Sequence, residues 1–71
     1  MTEGERRINI LIANVKRGKY TVAYLRDLLE RGMRHVDCYG EKNIDHKFIT
    51  NLACIEVAVK RIEQSRKRDL Q

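Results

Sequence analysis

The stretch FITNLACIEVAVKRI, Phe48 to Ile62, decides the fold. Phe48, Leu52, Ile55, Val59 and Ile62 recur in steps of four, three, four and three. That spacing lines side chains along one edge of an α-helix and, in heptad terms, makes a d-a-d-a-d seam. A second row, Ile49, Ala53, Val57 and Ala58, widens the apolar face well beyond a narrow seam. Asp45 stands where an N-cap belongs, with Ile44 and Ile49 at the two positions of a hydrophobic staple. The pattern predicts a helix over about 45–68, a rod of about 35 Å at the usual rise per residue.

Upstream, the stripe Leu25, Leu28, Leu29, Met33 and Val36 keeps the helical period, with Val22 extending it backward. Thr21 is the expected N-cap, and Tyr20 with Leu25 forms a second staple pair. A helix over about 21–36 follows. Gly32 lies on this stripe. There it costs about 1 kcal/mol of helix propensity relative to Ala, but its bare backbone admits a close neighbour. Asp37 to Asn43, DCYGEKN, reads as a loop. Further back, Ile8, Leu11, Ile12 and Val15 form one helical stripe, predicting a helix over about 5–17. Thr2 and Glu5 have the spacing of a capping box, which would move its start to Glu3. Ile10 falls off the stripe, either exposed or part of a second contact. Gly18 reads as the residue just past the helix end. The expected fold is all-α: a single domain over residues 1–71, a small three-helix bundle with a long C-terminal helix.

Composition agrees. The 71 residues contain no Pro, four Gly, 6% aromatics and 35% charged residues, a mix suited to helices with wet outer faces. A core from so short a chain supplies only about 3–5 kcal/mol of net stability, so small proteins commonly add oligomerisation, disulfides or a metal. The two shorter helices cover one side of the long one. The rows they leave bare predict self-association, a homodimer or a partner contact through Phe48, Leu52, Ile55, Val59 and Ile62. The alternative is a monomeric bundle that buries every row internally.

Two Cys, Cys38 and Cys54, are too few for a disulfide-stapled secreted scaffold. Met1 to Arg7 has neither the apolar run nor the small-residue cleavage site of a secretory leader. No apolar run approaches the ~20 residues of a membrane span. A cytoplasmic location with free thiols and no membrane partner is expected. His35 and Cys38 are closely spaced, but His46 and Cys54 are not, so no structural zinc site is expected. The hydroxyl, His and carboxylate residues form no catalytic constellation, so neither an enzyme nor a cofactor is expected.

Fifteen Lys and Arg against ten Asp and Glu leave a formal charge of +5. A positive surface attracts polyanions through counterion release. The candidate nucleic-acid contacts are Lys16, Arg17 and Lys19 around the first turn and Lys60, Arg61, Arg66, Lys67 and Arg68 near the C-terminus. Cations at helix C-termini also complement the helix dipole without any ligand. Arg26, Arg31, Arg34 and His35 share the second helix with Asp27 and Glu30, a mixed-charge face. The first two helices and their Gly turn have the outline of a helix-turn-helix, but two helices and a Gly turn recur in every helical bundle. Tyr39, beside Lys42, could stack a base or cover the end of the core. The function expected is a small nucleic-acid-binding regulatory or accessory protein. The alternative is a protein-protein interaction module, an adaptor, chaperone or inhibitor, that uses the apolar face of the third helix.

Overall fold

The computed structural model describes residues 2–69, the last two by their backbone alone. The described chain forms three α-helices: α1, Glu3–Lys16; α2, Val22–Tyr39; and α3, His46–Asp69. A single 3-10 turn, Glu41–Asn43, precedes α3. The described residues include no strand, and no helix among them is long and apolar enough to cross a membrane.

Side chains fix where the helices start. The Thr2 hydroxyl accepts a hydrogen bond from the Glu5 amide at 3.2 Å, which gives α1 the earlier of its two expected starts. The Thr21 hydroxyl accepts from the Tyr24 amide at 3.1 Å, and Asp45 Oδ1 from the Lys47 amide at 3.0 Å. Each satisfies one amide of the first turn that has no helical partner. α1 ends in a Schellman motif: the Gly18 amide donates to the Val15 carbonyl at 3.1 Å and the Lys19 amide to that of Asn14 at 3.0 Å. Gly18 takes φ +81° to close it, a conformation an L side chain resists.

The loop expected at Asp37–Asn43 begins later than the sequence implied. α2 runs past Val36 through Asp37, Cys38 and Tyr39 and stops only at Gly40, where φ is +81°. Polar residues do not end a helix by themselves. The stop comes at the first residue that reverses φ, and the Gly40 amide still reaches the Val36 carbonyl at 2.8 Å.

α3 is the axis of the fold. Both shorter helices dock on it, while α1 and α2 scarcely touch each other. α1 lies parallel to α3: its N-terminal residues Gly4 and Arg7 share a cleft with His46 and Thr50, and its C-terminal Val15 and Lys16 share one with Ile62 and Arg66. α2 runs the other way. Arg26 near its start forms an ion pair with Glu63, and Val36 near its end meets Ile49. The core accordingly falls into two clusters. Val22, Leu25, Val59 and Ile62 join α2 to α3, with Ile12 and Val15 of α1 packed alongside. Ile8, Cys54 and Ala58 join α1 to α3. Leu25 is the largest fully buried side chain, a burial that stabilises by about 1.5–3 kcal/mol.

Gly32 is buried, and the Leu52 side chain rests on its backbone. A Cβ built there would stand 2.3 Å from Leu52 Cδ2 and 3.1 Å from Cγ. The glycine therefore sets how closely α2 approaches α3.

The interface expected on α3 is revised at two positions. Val59 is 7% exposed and Ile62 9% exposed, so both belong to the chain's own core. Phe48, Leu52 and Ile55 are half-buried. The physical reason is the placement of α1 and α2, which straddle the spine and enclose its C-terminal half more fully than the rest.

Candidate functional site

The cations divide into two populations. One is held by carboxylates: Arg7 with Glu3 at 3.3 Å, Arg31 with Asp27 at 3.1 Å, Arg34 with Glu30 at 2.8 Å and Lys60 with Glu56 at 3.0 Å, plus the Arg26–Glu63 pair. Four of these pairs are exposed i,i+4 contacts, each worth only about 0.3–0.5 kcal/mol. Their importance is to the field. Each pair is locally neutral, so none of them adds to the net charge.

The second population is not paired and is concentrated at one end. Parallel α1 and α3, with α2 antiparallel, bring the end of α1, the Arg17–Thr21 turn, the start of α2 and the end of α3 to the same pole of a molecule 42 Å long. Lys16, Arg61 and Arg66 line one cleft with Ser65, over a floor of Ile12, Val15 and Ile62. Arg17 and Lys19 stand in the adjoining turn, and Lys67 in the next stretch of α3; all are exposed. None of these six cations is ion-paired to a described residue. At the opposite pole Arg6, Lys42 and Lys47 are accompanied by Glu5, Asp37, Glu41 and Asp45. The excess of +5 is therefore carried by one end. Two helix C-termini meet there, and their partial negative charge offsets only part of it.

Lys60, expected with this group, is tied to Glu56 and does not line the cleft. Arg68 was also expected with it; its side chain lies outside the described residues. The remaining candidates, Lys16, Arg17, Lys19, Arg61, Arg66 and Lys67, converge on one pole although they span fifty-odd positions of sequence.

Two apolar features lie open on the surface. Met33 is 54% exposed although it sits on the α2 stripe. It lines a shallow groove with Leu29, Val36, Ile49, Leu52 and Ala53. The cause is that α2 has one helical neighbour, which covers a narrower strip than the stripe itself. On the other side, a trough between α1 and α3 has Ile10 on its lip, 52% exposed. The off-stripe position of Ile10 was the one sequence signal for it.

Tyr39 ends α2 instead of standing in a loop. Its ring packs on His35 with centroids 4.6 Å apart, and His35 meets Phe48 edge-on at 5.4 Å. This aromatic group lies at the pole away from the unpaired cations. Cys38 is exposed and Cys54 buried, and no disulfide joins them; Cys54 Sγ lies 3.8 Å from the Gly4 carbonyl oxygen, a weak hydrogen bond at that distance. Among the described residues, no group of three His, Cys, Asp or Glu could hold a metal ion. No protein-family model, curated protein or solved structure matches this chain.

Proposed function

We propose that this protein binds nucleic acid through its basic pole, as a small regulatory or accessory factor. The observation that carries this reading is the segregation of charge. Lys16, Arg17, Lys19, Arg61, Arg66 and Lys67 stand together with no carboxylate partner among the described side chains, while the cations elsewhere are paired or balanced. Solubility alone does not require the excess to gather at one end. A cluster of flexible cations over a shallow cleft suits phosphate oxygens, and contacts of this kind position a protein without reading sequence. The test is binding of labelled oligonucleotides by fluorescence anisotropy. Replacing Lys16, Arg61 and Arg66 together by Gln should weaken binding at least tenfold, whereas Lys60→Gln should change it less than twofold. Equal effects of the two variants would refute the placement of the site.

A second reading concerns the groove around Met33. Its half-exposed apolar side chains favour a contact with another helix, and a second copy of this chain in a symmetric dimer is the simplest occupant. The unbridged thiols fit a reducing, cytoplasmic setting.

A further inference from the structure

A trough between α1 and α3, ending at Tyr20, adjoins the basic pole, and its chemistry differs from that of the phosphate-binding cleft. Arg7, Ile10 and Asn14 of α1 form one wall, Asn51 and Ile55 of α3 the other, and Tyr20 of the turn closes one end. Ile10 forms an apolar lip. Asn14, Asn51, Arg7 and the Tyr20 hydroxyl supply hydrogen-bonding groups. Asn14 Nδ2 donates to the Tyr20 hydroxyl at 3.3 Å, and Arg7 Nη1 to Asn51 Oδ1 at 2.6 Å, so the amides are already oriented. No carboxylate lines the trough, whose volume is about 310 Å³, at the lower end for small-ligand sites.

At the end nearest the basic pole Tyr20 carries a neighbour. The Tyr24 ring centroid lies 5.6 Å from that of Tyr20, tilted by 38°, and Tyr24 is 50% exposed. Tyr20 follows Lys19 directly in the chain, and Tyr24 stands four residues further on. The order along the surface is therefore cations, then an exposed aromatic face, then a trough with amide donors and acceptors. Unpaired nucleotides use all three: the cations neutralise phosphates, an aromatic ring stacks a base, and amides bond the edge of a base that has no pairing partner. A duplex keeps its bases stacked on one another and can use only the first.

We infer that the ligand of the basic pole is a single-stranded nucleic acid, with one base stacked on Tyr24 and a neighbouring base entering the trough between Asn14 and Asn51. This rests on the phosphate-binding reading above and adds the class of nucleic acid to it.

The test titrates the full chain with a labelled 20-nucleotide single strand and with the 20-base-pair duplex containing it, at equal salt. Tyrosine emission is followed alongside anisotropy. The chain has no Trp and three Tyr, so stacking on Tyr24 registers directly as quenching. The expected result is single-strand binding about tenfold tighter than duplex binding, with loss of tyrosine emission. Tyr24→Ala should weaken single-strand binding about tenfold, the range of one base–aromatic stack, and leave duplex binding within twofold. Tyr24→Phe should keep the affinity and lose most of the quenching. Circular dichroism of the variants establishes that they are folded. Duplex binding as tight as single-strand binding, or single-strand binding indifferent to Tyr24→Ala, would overturn the inference and leave the basic pole as a site for duplex phosphates. If an acidic amphipathic peptide displaced the single strand only through Ile10 and without the cations, the trough would belong to a protein partner and the inference would fall. Failure of both nucleic acids to bind at low salt would overturn it together with the reading beneath it.

Discussion

Replacing Gly32 by Ala tests how the two longer helices are held together. In an isolated helix this change stabilises by about 1 kcal/mol. Here the new Cβ would stand 2.3 Å from Leu52 Cδ2, 3.0 Å from Cδ1 and 3.1 Å from Cγ. Turning the terminal methyl groups relieves the shortest contact, but the branch carbon at 3.1 Å must also give by a few tenths of an ångström. Either Leu52 leaves its rotamer or α2 lifts away from α3, the helix on which it chiefly packs. Overpacking of this kind costs about 1–3 kcal/mol. The balance is a net loss of about 1 kcal/mol, a fall in Tm of about 4–8 °C for a domain of this size. In a Leu52→Ala background the obstacle is gone and only the propensity gain remains, so Gly32→Ala should then stabilise by about 1 kcal/mol. The change of sign gives a coupling near 2 kcal/mol, within the range for residues in direct contact. Urea unfolding of the four proteins, followed by circular dichroism at one fixed protein concentration, measures it. If Gly32→Ala raised the midpoint equally in both backgrounds, the close approach of α2 and α3 described above would be refuted.

Other expectations are simpler. Thr21→Ala removes the hydroxyl that caps α2 and should cost about 1 kcal/mol, whereas Thr21→Asp should keep most of the stability; thermal melts distinguish the two. Met33→Glu places a charge in the Leu29–Leu52 groove and should leave the fold intact while abolishing self-association; sedimentation equilibrium decides, and an unchanged mass for a wild-type monomer would discard the dimer reading. Ile62→Ala empties part of the core where α2 meets α3 and should cost about 2–5 kcal/mol, seen as a lower urea midpoint; a loss under 1 kcal/mol would mean that Ile62 packs less tightly than its burial implies.

The helices and caps were legible because they depend on short-range chemistry. Thr2, Thr21 and Asp45 cap where their side-chain oxygens can reach an amide two or three residues on, and spacing alone discloses that. The stripe on α3 was legible for the same reason. What sequence could not give was the angular placement of α1 and α2 around α3. That placement decides that Val59 and Ile62 are enclosed while Phe48, Leu52 and Ile55 are only half covered, and that Met33, on a good helical stripe, is largely open. It also decides the site. Lys16 and Arg61 are far apart in the chain and share a cleft only because α1 runs parallel to α3. Lys60, next to Arg61 in sequence, points about 100° away around the helix and is held by Glu56. The extension of α2 to Tyr39 was hidden by polar residues that resemble a loop but carry no φ that ends a helix.

The central claim is that the unpaired cations of one pole neutralise phosphates as a group. The most direct measurement is the affinity for a labelled oligonucleotide across a series of salt concentrations, in the wild type and in Arg61→Gln. With five or six phosphates engaged, the slope of log affinity against log salt should be about −4 for a single strand or −5 for a duplex, and removing Arg61 should make it shallower by roughly 1. A flat dependence on salt, or a slope that Arg61→Gln leaves unchanged, would contradict the account.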